Sequence, residues 1–317
     1  MTSESNHYLK GLLRLTMACN AQCLFCNVPI EDFKGGILGE RDIVRALEHF
    51  AEQDTRTITI SGGEPTIAKT RLLDLVRRCR ARGIANVDLQ TNAVLIDDKY
   101  AVDLAEAGVT SAFVALVSHL PHIHDQLMGL VDAHRACLAG IDALLQAGVD
   151  VRLNPVTVKH TETLVGDYVD FVAERFPAIR FISLSAVQPH GRAAKNLNLL
   201  PHYSQLGPAI ELARKKAAAK KIEMVNPYCG VPICVGWSDA IGQCVEAIQE
   251  VGHDPTGLRN QGNKSHGQPC RKCALRSLCG GAWHAYWVYR GGDGIESPVK
   301  IIEPWVPTAA ELDFQSV

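Results

Sequence analysis

From about residue 10 to residue 200 the sequence alternates short apolar runs with longer amphipathic stretches, and this alternation narrows the fold more than any other feature. The apolar runs are Leu12–Thr16, Thr57–Ile60, Asn86–Leu89, Ala112–Val117, Val151–Val158 and Arg180–Leu184. Between them lie helix-like stretches at Glu40–Gln53, Lys69–Ala81, Asp97–Ala107, Ala133–Ala147 and Thr161–Phe176. Several of these stop at a glycine, as in Arg82-Gly83, Ala107-Gly108 and Ala147-Gly148, which is a C-cap signal. Such alternation predicts an α/β chain of parallel βα units, either an open wound sheet or a barrel, with its chemistry at the C-terminal ends of the strands. A further helix is expected over Tyr203–Lys221, its basic second half a solvated face. The 47% of hydrophobic residues in 317 are ample for a sizeable core. A net charge of −2 gives no general electrostatic grip on nucleic acid or an anionic membrane. No apolar run reaches the ~18 residues of a membrane span, and residues 1–10 lack the apolar stretch of an export signal. A cytoplasmic location is therefore expected.

Against that background, eleven cysteines are too many. A disulfide framework does not suit a reducing compartment, so the thiols should bind metal or react. Three of them form Cys19-Asn-Ala-Gln-Cys23-Leu-Phe-Cys26, a C-x3-C-x2-C loop running straight out of the first strand. Zinc would want a fourth protein ligand and none lies nearby. An iron–sulfur cluster held by three cysteines keeps one iron open for an outside ligand.

In this loop, with Phe25 before its third cysteine, the sequence resembles the radical S-adenosylmethionine (SAM) enzymes. The resemblance implies a [4Fe-4S] cluster on Cys19, Cys23 and Cys26, whose open iron chelates the amino and carboxylate groups of SAM. Reductive cleavage would then give methionine and a 5′-deoxyadenosyl radical that abstracts a hydrogen atom from the substrate. Ser61-Gly62-Gly63-Glu64-Pro65, ending the second strand, looks like the family's GGEP motif. Gly62 and Gly63 allow close backbone approach, and Glu64 offers an acceptor to an ammonium group. Thr91 and Asn92 match the family's Thr-Asn pair near the cofactor, and Asn154 stands where related enzymes often carry a SAM-contacting polar residue. The likeness departs after the fourth strand: Leu116 and Ser118 replace a Ser and an Asp, although His124-Asp125 fits. His119, His122 and His124 are read as plain structure ahead of substrate contact, and ahead of a second metal site. The resemblance covers about residues 8–200 and implies a partial (βα)6 TIM-like barrel, with residues 201–226 a linking helix and strand.

Residues 227–294 are rich in Gly, Cys, Pro and Trp and hold the second cysteine group. Cys270, Cys273 and Cys279 give C-x2-C-x5-C, preceded by Cys229 and Cys234. The pattern resembles the auxiliary domain called SPASM, in its shortened twitch form, because Trp283 stands where the next cysteine would be. One auxiliary [4Fe-4S] cluster is implied, on Cys270, Cys273, Cys279 and either Cys234 or Cys229. Cys79 and Cys137 read as buried hydrophobes. Cys244 is a structural thiol or, less in keeping with its surroundings, a hydrogen-atom donor. Trp283, His284, Tyr286, Trp287 and Tyr289 are expected to pack a small domain, and residues 295–317 form a tail.

The implied activity is hydrogen abstraction after SAM cleavage, with a flavodoxin- or ferredoxin-type reducing partner. Maturation of a ribosomally made peptide is favoured slightly over tailoring of a small molecule such as a sugar or nucleoside. Only 18 residues precede Cys19, short for a leader-binding module. A non-catalytic iron–sulfur electron carrier is the distant alternative, and the Gly62-Gly63-Glu64-Pro65 turn argues against it.

Overall fold

The computed structural model describes residues 10–28, 30, 36–53, 55–252 and 263–298; the expected tail lies outside these beyond residue 298. The chain begins β1 (Lys10–Thr16), α1 (Glu40–Glu52), β2 (Thr57–Gly62), α2 (Lys69–Ala81), β3 (Asn86–Thr91), α3 (Asp98–Ala107) and β4 (Ser111–Val114). It continues with α4 (Pro121–Met128), α5 (Ala133–Gln146), β5 (Asp150–Leu153), β6 (Val156–Thr157), α6 (Val165–Arg175), β7 (Phe181–Ser183) and β8 (Ser185–Ala186). After α7 (Tyr203–Ala219) and β9 (Glu223–Val225) come α8 (Val245–Gly252), β10 (Lys264–Ser265), β11 (Ala282–Trp283) and α9 (His284–Arg290).

Seven strands form one sheet in the order β1-β2-β3-β4-β5-β7-β9, every pair parallel. The sixth expected segment is thus followed by a seventh strand, drawn from the linking segment. The expected Val151–Val158 strand is broken into β5 and β6 because Pro155 has no N–H for the ladder. β6 and β8 pair with each other and carry β5 and β7 past this break. The helix ends match the glycine signals: Gly83, Gly108 and Gly148 all have positive φ.

The period of two decides what each face of the sheet does. Ile58, Ile60, Val87, Leu89, Ala112, Val114, Val151 and Leu153 pack in the core with Leu72, Val76, Leu104, Ile141 and Leu144 of the helices. The alternate residues Thr59, Ser61, Asp88, Gln90, Ser111, Arg152, Asn154, Ser183 and Ser185 are polar and line cavities inside the curved sheet. A closed eight-stranded barrel fills its interior with bulky branched side chains. This incomplete one keeps room for ligands instead.

The C-terminal region covers the open side. β10 and β11 pair antiparallel, and Lys264 and Glu246, 4% and 5% exposed, form an ion pair of 3.4 Å that ties α8 to β10. Tyr286 stacks on Tyr203 with ring centroids 3.8 Å apart, and Trp287 donates to the Ser265 carbonyl. These two and Trp283, which is buried in the core and also lines a cavity wall, pack as the sequence suggests, whereas Tyr289 is exposed. Among the described residues no helix is long and apolar enough to cross a membrane.

Candidate active site

The C-terminal ends of β1, β2 and β3 meet at one cavity of about 350 Å³. Cys19, Cys23 and Cys26 line it together with Phe25, Gly62, Gly63, Glu64, Thr91, Asn92 and Asn154. Every residue assigned to the first cluster and its cofactor therefore reaches the same space.

Two segments fix the cysteine loop. The N–H groups of Gln22 and Leu24 donate to the carbonyls of Met128 and Leu127 at the end of α4. From the other side, Arg192 donates to the Cys23 carbonyl at 3.0 Å and the Ala193 N–H to the Cys26 carbonyl at 3.1 Å. Gly191, at φ 54, approaches so closely that a Cβ there would lie 2.9 Å from the Cys26 carbonyl oxygen. Sequence reasoning missed α4 as a helix and missed Arg192 altogether. Pro121 at the first turn of α4 and Gly129 just past its end were the readable signals.

The Gly62-Gly63 turn is held by close approach. Gly63 and Glu64 donate their N–H groups to the carbonyls of Thr16 and Ala18, at 2.7 and 2.8 Å. A Cβ on Gly62 (φ 143) would fall 2.0 Å from the Thr16 oxygen, and one on Gly63 2.3 Å from the Ala18 oxygen. Glu64 is 1% exposed. Its Oε1 accepts from the Thr66 N–H, the Thr66 hydroxyl and the Thr91 hydroxyl, and its Oε2 from the Asn92 N–H. Burial pushes this carboxyl up against the pull of those donors. Oε2, with a single donor, keeps acceptor capacity for a ligand. The Asn92 amide in turn donates to Asn20 of the cysteine loop at 2.8 Å. The Thr-Asn pair thus joins β3, the Glu64 carboxylate and the cluster loop.

The thiols suit an iron–sulfur cluster. Burial raises the Cys19 thiol and pushes Cys23 up to about 12, with the neighbouring sulfurs adding to both. Clustered thiols of this kind release their protons when cations take their place. Among the described residues no three His, Cys, Asp or Glu side chains converge tightly enough for a single metal ion. That includes His119, His122 and His124. His124 is fully buried and meets His134 edge-on at 5.4 Å. A cubane cluster, whose thiolates each bind a different iron, needs the wider spacing of a cage.

In the C-terminal group, Cys234, Cys270, Cys273 and Cys279 line one small cavity. Burial and the other three sulfurs push Cys234 up to about 12. Cys229 stands apart and lines the barrel cavity. Cys244 is fully buried, bonded to Asn226 and the Ala240 carbonyl, and reaches none of the described cavities. Cys79 and Cys137 are fully buried in the core.

A second cavity of about 420 Å³ fills the lower half of the barrel and shares Gln90, Phe113, Ser183, Gln188, Pro227 and Cys229 with the first. Its walls add Lys10 paired with Asp88 at 2.9 Å, Arg152, Tyr228, Lys264 and Trp283. Arg152 is held by Nε to Asp150 at 2.8 Å.

Comparison with known proteins agrees with this geometry. The chain is 28% identical over 240 residues, 70% of this chain and 74% of the other, to a probable GTP 3′,8-cyclase of Sulfurisphaera tokodaii. It is 28% identical over 306 residues, 85% and 80% of the two chains, to a PqqA peptide cyclase of Rhodopseudomonas palustris. The structure of anSMEcpe with bound AdoMet superposes with a TM-score of 0.58 at 14% identity, covering 74% of this chain and 65% of that one. The profile of the Radical SAM superfamily matches residues 13–172, and the chain belongs to that family of enzymes, which use a [4Fe-4S] cluster and SAM.

Proposed function

We propose that this enzyme modifies a residue of a ribosomally made peptide by hydrogen abstraction, with the peptide segment seated in the lower barrel cavity. The carrying observation is the wall that the two cavities share, which joins a ligand-sized chamber to the cavity lined by the cysteine loop. The similarity to a peptide cyclase also covers 85% of this chain, more than the 70% matched by the GTP 3′,8-cyclase. When bound, the cluster and SAM supply a 5′-deoxyadenosyl radical.

Cys19, Cys23 and Cys26 hold that cluster. Gly62, Gly63 and Glu64 take the amino end of SAM, Phe25 packs beside the loop, and Thr91, Asn92 and Asn154 complete the wall. Arg152 brings to the lower chamber a guanidinium with its terminal N–H groups to offer an acidic or carbonyl group of the substrate. Cys234, Cys270, Cys273 and Cys279 hold an auxiliary [4Fe-4S] cluster. With four protein ligands it passes electrons or stiffens the covering region rather than binding substrate. A flavodoxin- or ferredoxin-type protein supplies the electrons.

A second reading, tailoring of a small anionic molecule, is favoured by the similarity to GTP 3′,8-cyclases and by the basic and aromatic lining of the lower chamber. The test is anaerobic reaction with SAM and dithionite, in the presence of a peptide encoded beside this gene or of GTP. A mass change in the peptide with stimulated 5′-deoxyadenosine release supports the first reading. Consumption of GTP alone supports the second.

A further inference from the structure

With three cysteines in the barrel loop, four in the C-terminal group and three buried in the core, Cys229 is the remainder. It stands where the two barrel cavities meet and lines both. Its position is set by the backbone: the Cys229 carbonyl accepts from the Ala186 N–H at 3.1 Å, and the Gly230 N–H closes a turn onto Pro227. The Cys229 sulfur lies 3.1 Å from the Ser185 hydroxyl. Ser185 gives its own proton to Asn154 Oδ1 at 2.6 Å. In the contact between them the Cys229 S–H is therefore the donor.

We propose that Cys229 is the hydrogen-atom donor that completes the reaction, an inference resting on the radical chemistry proposed above. An S–H bond is weaker than the C–H bond of an alkyl group, so a thiol at the shared wall can quench a carbon radical formed in either cavity. In the first step a substrate C–H bond breaks and the C5′–H bond of 5′-deoxyadenosine forms. In the second, the Cys229 S–H bond breaks, a new substrate C–H bond forms, and a thiyl radical stays on sulfur. One electron from the flavodoxin- or ferredoxin-type donor, or from dithionite, and one solvent proton restore the thiol. The substrate leaves at its original oxidation level, with the abstracted hydrogen replaced by one that exchanges with water. This class of outcome is inversion of a centre rather than desaturation or crosslinking.

Two measurements on the anaerobically reconstituted full chain test it. In the first, iodoacetamide labelling is read by mass spectrometry. Cys229 is expected to be alkylated while the cysteines of the two ligand sets are protected. Protection of Cys229 with labelling of Cys234 would make Cys229 a cluster ligand and overturn the proposal. In the second, SAM and dithionite are added in D2O with no other substrate. The 5′-deoxyadenosine formed should carry deuterium taken from the Cys229 S–D bond, and that deuterium should be lost from whatever 5′-deoxyadenosine Cys229→Ser or Cys229→Ala forms. Unchanged deuterium in the variants overturns the role of Cys229 alone. Absence of 5′-deoxyadenosine from the wild type overturns the radical reading and this proposal together.

Discussion

The two cysteine groups reach their geometry by different routes. At the barrel mouth, three thiols come from eight consecutive residues, and the fold has only to clamp that loop between the end of α4 and residues 191–196. In the C-terminal region three thiols come from one short stretch and the fourth from a separate segment, and Cys234 meets Cys270, Cys273 and Cys279 only when the chain between them is folded. The first site draws all its thiols from one short loop at the end of β1, and distant segments only hold that loop in place. The second depends on long-range packing, so metal binding and folding should be more tightly coupled there.

The largest effects should separate the two groups. Replacing Cys19, Cys23 and Cys26 by Ser should abolish 5′-deoxyadenosine formation and lower the iron content from about eight to about four per chain, with little loss of thermal stability. Cys273→Ser should remove a similar amount of iron by the same assay. It should only lower 5′-deoxyadenosine formation, and it should destabilise the covering region, seen as faster proteolysis within residues 227–298.

Next come the contacts that make the first site rigid. Gly63→Ala sets a Cβ 2.3 Å from the Ala18 carbonyl oxygen. The backbone must move, at a cost of about 3 kcal/mol, read as a lower melting temperature and a raised KM for SAM. Glu64→Gln presents an amide to several N–H and O–H donors. A loss of about 2 kcal/mol is expected from the unsatisfied groups, with weaker SAM binding by calorimetry.

The clamp on the cysteine loop also has a pH dependence. Burial, then the neighbouring His134, pushes His124 down to about 4. The unfolded chain binds its proton at an ordinary pKa of about 6.5, so between these values the unfolded state holds more protons and stability rises with pH. The neutral-His124 contribution is complete above about pH 6.5 and is lost as pH falls toward 4, by about 3 kcal/mol at most. Melting temperatures measured from pH 7.5 to pH 5 should fall, and His124→Leu should flatten that slope.

The difference between the regions also explains what could be read in the sequence. Strands and helices came through within a few residues wherever apolar periodicity and a terminal glycine agreed, as at Lys69–Ala81. The Cys19 loop and the Gly62-Gly63 turn were legible because their chemistry lies in short spacings. Arg192, Gly191 and the α4 clamp were not, since they approach the loop from more than 100 positions away. The polar floor of the barrel was hidden because its members alternate with core residues in short strands. The choice between Cys229 and Cys234 turned on which of two cysteines five apart faces a barrel cavity and which faces the other thiols, and spacing carries no such information.

The most direct measurement is the anaerobic reaction of the reconstituted chain with SAM and dithionite, followed by mass spectrometry for 5′-deoxyadenosine. The expected result is 5′-deoxyadenosine from the wild type and none from Cys26→Ser. A wild-type chain that binds about eight iron atoms yet forms none would contradict the account.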